Sequence, residues 1–381
     1  MRAEYLHTPV SEEHLKALDG FRALLAAWVY LGHLSYATGY QNYLLGLHAL
    51  AVDLFMVLSG FLMVRSWNQT TNRDPSFTHR VVQFYKRRFF RIAPLYYLLL
   101  FICWLFLPLL AEMSDFVQRT MPPPWAQGLT SYDPRAGWDF SSTRWQLLHA
   151  TFTFGLVPGM ESSSPLPDWS LSLEMQFYFV FPFLMLLLAR VPVLLVAMLV
   201  AAIAFVSPPL FGNYLTPGSL AHFGQPSFLP YRLNAFLAGM LIAYFLTLRD
   251  SNQHSWYARA FALTGCAITV MPLSKPVIAA YLLFFALLSR KIPFFTLLLS
   301  GHFMQRLGNM SYSIYLTHIL IVLPVTYWML SFESFLRLSA LNRFVLAFVV
   351  SGPIVLFVSY LSFRFVEQPF INLSKSFGKN K

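Results

Sequence analysis

The sequence predicts an all-α polytopic membrane protein of about ten transmembrane helices with both termini cytoplasmic, and three observations predict it. Hydrophobic residues fill 57% of 381 positions and charged ones 11%, against roughly 25% charged in an ordinary soluble domain. The apolar residues gather into windows near 20–38, 46–65, 91–110, 169–189, 192–207, 229–248, 260–273, 276–289, 311–330 and 343–364, most of them long enough to cross hydrocarbon. With the N-terminus inside, only Arg119, Arg135, Arg144, Arg232, Lys275, Arg337 and Arg343 fall outside, which leaves 20 of the 27 basic residues on the cytoplasmic side.

Several classes are excluded at this level. The net charge of +11 would raise nucleic acid as a partner for a soluble chain, but here the basic residues cluster at helix ends and act as orientation signals. The first seventeen residues carry Arg2, Glu12, Glu13 and Lys16 without an apolar core and a small-residue cleavage site, so no removable signal peptide is expected. Cys103 and Cys266 lie in apolar segments with no metal-type spacing, so both read as core residues and no metal site is expected. Two loops are long and face opposite sides: a basic cytoplasmic one from Arg65 to Arg91, and an external one from Ala111 to Asp168 rich in Pro, Ser and Trp. Within the latter, Arg144 to Thr153 forms a surface helix, and Asp168 or Ser170 caps the next span. No internal repeat supports an inverted-repeat transporter.

The first span carries the most informative pattern. Arg22 and His33 stand eleven residues apart, about three turns and about 16 Å of rise, so they share one helix face from the cytoplasmic lip to the middle of the bilayer. Ionisable groups at that depth cost roughly 2.5 to 3.5 kcal/mol each on insertion scales and persist mainly where they line a site or pathway. The second span descends from the other side and brings Asp53 to nearly the same depth. There it either orients the imidazole of His33 and stabilises its imidazolium, or pairs with another helix; helix rotation decides.

Further along, Arg88 and Arg91 are three apart and face the same way, so they suit a bidentate grip on a phosphorylated cytoplasmic ligand, with lipid-headgroup anchoring as the plainer reading. Asp168 to Tyr178 places Trp169, Glu174 and Tyr178 together near the external face. Aromatic faces beside a carboxylate suit a polyhydroxylated acceptor, or equally an interfacial aromatic belt. His318 is a second intramembrane histidine, a rival or an auxiliary to His33, and Glu367 closes the last helix at the cytoplasmic face.

Taken in order, Asp19-Gly20-Phe21-Arg22, Gly32-His33, Val52-Asp53-Leu54-Phe55 with Ser59-Gly60-Phe61, Arg88-Phe89-Phe90-Arg91, Trp169 to Glu174, Leu307 to His318 and Glu367-Gln368-Pro369 resemble the acyltransferase-3 family of integral membrane acyltransferases. The resemblance runs from Leu18 to about Asn372, and it implies a cytoplasmic segment 1–17, a membrane acyltransferase domain 18–372 and a basic tail 373–381. Ala51, where the family often has glycine, is a minor departure. The family's functional arginine and histidine match Arg22 and His33, its Arg-x-x-Arg pair matches Arg88 and Arg91, and its Glu-x-Pro matches Glu367 and Pro369.

The implied activity is O-acyl transfer, with acetyl-CoA or another acyl-CoA as cytoplasmic donor. The implied acceptor is a hydroxyl of a cell-surface or lipid-linked glycan, lipopolysaccharide among them, at a bacterial inner membrane. Arg22, Arg88 and Arg91 would bind the acyl-CoA, His33 with Asp53 would carry the chemistry, and Trp169, Glu174 and Tyr178 would bind the acceptor. Some members append a soluble periplasmic hydrolase-like domain, so a chain ending soon after Glu367 is expected to complete the transfer alone or to pass the group to a separate protein. The competing reading is a proton-coupled exporter of a glycan or lipid-linked intermediate, with Arg22, His33 and Asp53 as its proton relay.

Overall fold

The fold is taken from a computed structural model, which describes residues 12–71, 76–122, 138–211, 223–250, 256–270, 278 and 297–376. In chain order these form α1 (Glu12–Ala37), α2 (Tyr43–Gly46), α3 (Ala49–Thr71), α4 (Phe77–Leu105), α5 (Leu107–Thr120), α6 (Thr143–Ala150), α7 (Trp169–Arg190) and α8 (Val193–Phe211). There follow α9 (Leu233–Asp250), α10 (Trp256–Val270), α11 (His302–Asn309), α12 (Ser311–Thr317), α13 (Ile319–Leu330), α14 (Glu333–Leu336), α15 (Ala340–Ser362), a π-helical turn Phe363–Glu367 and α16 (Gln368–Ser376). No strand occurs among the described residues.

Five helical stretches are long and apolar enough to cross a membrane: Ala49–Thr70, Phe77–Leu105, Trp169–Arg190, Val193–Phe211 and Ala340–Ser376. The pair α12 and α13, bent by 43°, makes a sixth when taken as one broken span. Six of the ten expected windows coincide with these. Of the rest, α1 is 26 residues long but diluted by Asp19, Arg22 and His33, the apolar part of α9 covers Leu233–Leu246, α10 has 15 residues, and 276–289 falls outside the described residues apart from one position. Phe205, Leu210, Val349, Phe357 and Phe365 project from the bundle well exposed, a surface that hydrocarbon covers without cost and water does not.

Inside the bundle, backbones meet where side chains are missing. Gly60 on α3 and Gly239 on α9 face each other's helices so closely that an added Cβ would stand 2.1 Å from the Phe236 carbonyl oxygen and 1.9 Å from that of Val57. Gly308 on α11 packs against the Asp19 carbonyl of α1 in the same way, at 1.9 Å. Without a hydrophobic drive between helices in lipid, such close contact supplies the attraction through dispersion. These contacts set the depth of Arg22 and Asp53 relative to the other helices.

Residues 138–168 fold down onto α4 and α7 rather than lying over them. The expected surface helix is present as α6, and Asp168 precedes α7 as its capping residue. Its carboxylate does not cap the helix. Instead Ser164 donates to Asp168 Oδ2 at 2.7 Å, Tyr96 Oη lies 3.2 Å from the same oxygen and 2.7 Å from His149 Nδ1, and His149 Nε2 meets Ser163 Oγ at 2.9 Å. Ser163 Oγ spends its own hydrogen on the Met160 carbonyl at 2.5 Å, so it accepts from His149 Nε2–H. His149 Nδ1 then accepts from Tyr96, and the proton between Tyr96 and Asp168 belongs to the carboxyl. With these assignments the groups carry no charge, and Asp168 Oδ1 is left without a hydrogen-bond partner.

Burial agrees with that assignment. It pushes His149 down to about 3 from 6.5, and it pushes Asp168 up to about 7 from 3.8 against the hydrogen bond from Ser164. Between pH 3.8 and 6.5 the folded chain holds one proton on the carboxyl and the unfolded chain holds one on the imidazole, so the two pH dependences offset each other.

Two predictions follow from this architecture. Gly239→Val should lower the thermal midpoint of the detergent-solubilised protein by an amount matching the roughly 1–3 kcal/mol of overpacking, while Gly159→Ala, at a site open to solvent though with a positive φ, costs less; equal losses would contradict the close approach. For the buried network, Asp168→Asn leaves the His149 dependence alone, so its midpoint should fall from pH 6.5 toward 3. His149→Gln leaves that of Asp168, so its midpoint should fall as pH rises from 3.8 toward 7. Midpoints of both variants moving in one direction between pH 5 and 6.5 would refute the neutral assignment.

Candidate active site

A cavity of about 250 Å³ opens among α1, α3, α4, α7, α9 and α12. Arg22, Arg88 and Arg91 line it, and Glu174, Tyr178, Ser59, Ser170, Tyr312 and Tyr315 add further polar groups. Val52, Phe55, Met56, Leu58, Leu62, Met63 and Phe236 make an apolar wall. One helical turn separates Arg88 from Arg91, and three turns of α1 bring Arg22 to meet them. The shared helix face expected of Arg88 and Arg91 is thus realised.

The arginines are held loosely. Arg88 lies with its guanidinium carbon 5.6 Å from the Phe84 ring centre and 5.7 Å from that of Tyr178, flanked by two aromatic faces that stabilise a cation, and it also hydrogen-bonds to Tyr178. Arg91 Nη2 is 3.9 Å from Glu367 Oε1, and Arg22 Nη1 is 3.8 Å from Asp19 Oδ1, both beyond hydrogen-bond reach. Glu367 sits in the π-helical turn that ends the last long helix and accepts from Ser313 Oγ at 2.9 Å. Such turns rotate the side chains that follow them and often mark functional positions.

Glu174 and Tyr178 stand together with the arginines. They line the same cavity. Ser59 donates to Glu174 Oε1 at 3.1 Å, and Tyr178 O–H donates to the same oxygen. The cause is the inward fold of residues 138–168. Ser163, Ser164, Leu166 and Asp168 are buried, so α7 begins below the surface and its second turn reaches the level of Arg88. Trp169 packs against the core and does not line the cavity, whereas its neighbour Ser170 does and pairs with Tyr315 Oη at 2.8 Å.

His33 lies outside the cavity lining, with its ring 5.0 Å from that of His318. Its Nδ1 is 3.0 Å from the Val29 carbonyl and 3.1 Å from His318 Nε2. Asp53 is not its partner. Asp53 Oδ1 lies 2.8 Å from Arg232 Nε in an ion pair, so the expected His33–Asp53 contact is corrected to a charge pair between α3 and the residue that precedes α9. Helix rotation explains it: α3 turns Asp53 toward α9, along the close Gly60–Gly239 approach, and away from α1.

Sequence reasoning left His48 and Arg232 without a role. The His48 ring is 4.8 Å from that of His33 and its Nδ1 is 2.9 Å from the Leu45 carbonyl. Gly32 makes that possible, since a Cβ there would fall 2.4 Å from His48 Cγ. The signal for His48 was the glycine before His33, and for Arg232 it was a lone cation beside an apolar window. No group of His, Cys, Asp or Glu suited to a metal ion occurs among the described residues.

The family model Acyl_transf_3, described as an acyltransferase domain, matches residues 15–364. The chain belongs to this acyltransferase family. Family membership supports an acyltransferase activity that takes an acyl donor and an acceptor. No curated protein and no solved structure matches the acyltransferase chain significantly.

The Asp53–Arg232 pair carries a prediction. Removing one partner of a buried ion pair strands the other charge at a cost of about 3–5 kcal/mol. Asp53→Ala should therefore lower the thermal midpoint strongly, and Arg232→Met in that background should restore most of the loss. Failure of the second change to rescue would show that Asp53 answers to a partner other than Arg232.

Proposed function

We propose that this acyltransferase moves an acyl group, acetyl in the simplest case, from cytoplasmic acyl-CoA to a hydroxyl of a cell-surface or lipid-linked glycan, and that it works in a bacterial inner membrane. The observation that carries this reading is the convergence of Arg22, Arg88 and Arg91 on one cavity that is otherwise lined in large part by apolar residues. Three guanidiniums around one cavity suit the phosphates of a CoA ester, and the apolar lining suits its pantetheine arm and acyl group.

His33 is proposed as the reactive group. It is set one layer beyond the cavity, on the face of α1 that also bears Arg22. In direct transfer its imidazole takes the acceptor's hydroxyl proton as the oxygen attacks the thioester carbonyl; the C–S bond then breaks and the proton passes to the departing thiolate. In the covalent alternative the same imidazole attacks the thioester first and the C–S bond breaks to release the CoA thiolate; the acceptor hydroxyl then attacks the acyl-imidazole, the C–N bond breaks, and the hydroxyl proton passes to the thiolate or to the freed ring nitrogen. Both routes need one unprotonated ring nitrogen. Glu174 and Tyr178, placed beside Arg88, now fit the donor cavity better than a separate acceptor face.

Purified protein in liposomes, supplied with radiolabelled acetyl-CoA and candidate polysaccharides, should place label in an acceptor. His33→Ala should abolish that transfer without loss of fold, and Arg88→Ala with Arg91→Ala should together weaken acetyl-CoA binding about 100-fold or more, at roughly 1.5–3 kcal/mol per charged contact. Transport of a glycan with no label incorporated would turn the reading to an exporter. Substantial transfer by His33→Ala would remove His33 from the chemistry.

A further inference from the structure

The pairing of the two intramembrane histidines settles which nitrogen of each carries a proton. His318 stands at the 43° break between α12 and α13, where the carbonyls of the preceding turn open outward. Its Nδ1 lies 2.7 Å from the Tyr315 carbonyl oxygen and 3.2 Å from that of Ile314. Carbonyl oxygens only accept, so the hydrogen is on His318 Nδ1, and a neutral imidazole then has a lone pair on Nε2. That lone pair points at His33 Nδ1, 3.1 Å away, so a hydrogen must lie on His33 Nδ1. The Val29 carbonyl, 3.0 Å from the same nitrogen, demands it too. His33 Nε2 is left unprotonated.

We infer that His318 is the positioning residue of the active site: it holds the proton of His33 on Nδ1 and thereby keeps Nε2 free to act on the thioester or the acceptor hydroxyl. The inference rests on the proposed role of His33 and assigns the atom through which it acts. His318 cannot itself be the base, because both its nitrogens are occupied and it is fully buried.

No carboxylate takes this place. Asp53 faces Arg232, Glu174 faces Ser59 and Tyr178, and Glu367 faces Ser313 and Arg91. The remaining rings around the pair are His48 beside His33 and Tyr30 and Tyr315 beside His318, at 4.8, 6.4 and 6.2 Å between centres. When Nε2 takes up the acceptor's proton, the Nδ1–H of the imidazolium donates more strongly to His318 Nε2 and Val29 O. That hydrogen stays in place throughout, and the transferred proton enters and leaves at Nε2.

Three variants of the full chain in liposomes test the assignment. The amide oxygen of His318→Gln falls near the position of Nε2 and accepts from His33 without titrating. His318→Asn keeps a donor for the Tyr315 carbonyl and so preserves the bend, but it is too short to reach His33. His318→Leu supplies neither. With acetyl-CoA as donor, kcat should fall about 100-fold or more in the Asn and Leu variants with KM for acetyl-CoA changed less than about threefold, while the Gln variant stays within about tenfold of the parent. Near-parental kcat in His318→Asn, or Gln no faster than Asn in proteins of equal thermal midpoint, overturns the positioning role. Transfer surviving in His33→Ala would instead bring down the functional reading on which it rests.

Discussion

A polar group in the hydrocarbon layer has no water to turn to, so every charged or hydrogen-bonding side chain on these helices must find its partner on another helix or on backbone. The inward faces of the bundle are organised by that requirement. Asp53 satisfies it through Arg232, Glu367 through Ser313, Glu174 through Ser59 and Tyr178, and His33 through His318. The arginines of the cavity satisfy it least completely, with aromatic faces and carboxylates at 3.8–3.9 Å in place of close pairs. An anion entering the cavity would find donors still available.

Those pairings depend on how closely the helices approach. The Gly60–Gly239 contact brings α9 against α3 and places Arg232 within reach of Asp53. Gly308 against the Asp19 carbonyl locks α11 to the start of α1, and so sets the level at which Arg22 meets Arg88 and Arg91. Gly32 has a different task. It leaves room for the His48 ring on the surface of α1, directly beside His33. The glycines therefore act on the site by removing side chains from three helix contacts, two of which are not in the cavity at all.

The buried network of Asp168, Tyr96, His149 and Ser163 does for residues 138–168 what the glycines do for the helices. It ties the segment to α4 and to the start of α7 through neutral groups, at no cost in buried charge. Because that segment is drawn inward, α7 starts deep, and Glu174 joins the arginines. A loop that merely covered the bundle would have left Glu174 near the surface.

Composition, the spacing of apolar windows and the order of short motifs were sufficient to show a helical membrane protein of the acyltransferase family, and helical periodicity was sufficient to put Arg22 and His33 on one face and Arg88 beside Arg91. Those are properties of single helices, and a sequence states them directly through the 3.6-residue repeat. Which helix each polar face meets is a different kind of fact. The pairing of Asp53 with Arg232 instead of His33, the arrival of Glu174 in the arginine cavity, and the His33–His318 contact across 285 positions all depend on rotation about helix axes and on the depth at which α7 begins. Packing sets both, through close contacts between residues far apart in the chain, and only the tertiary structure decided them.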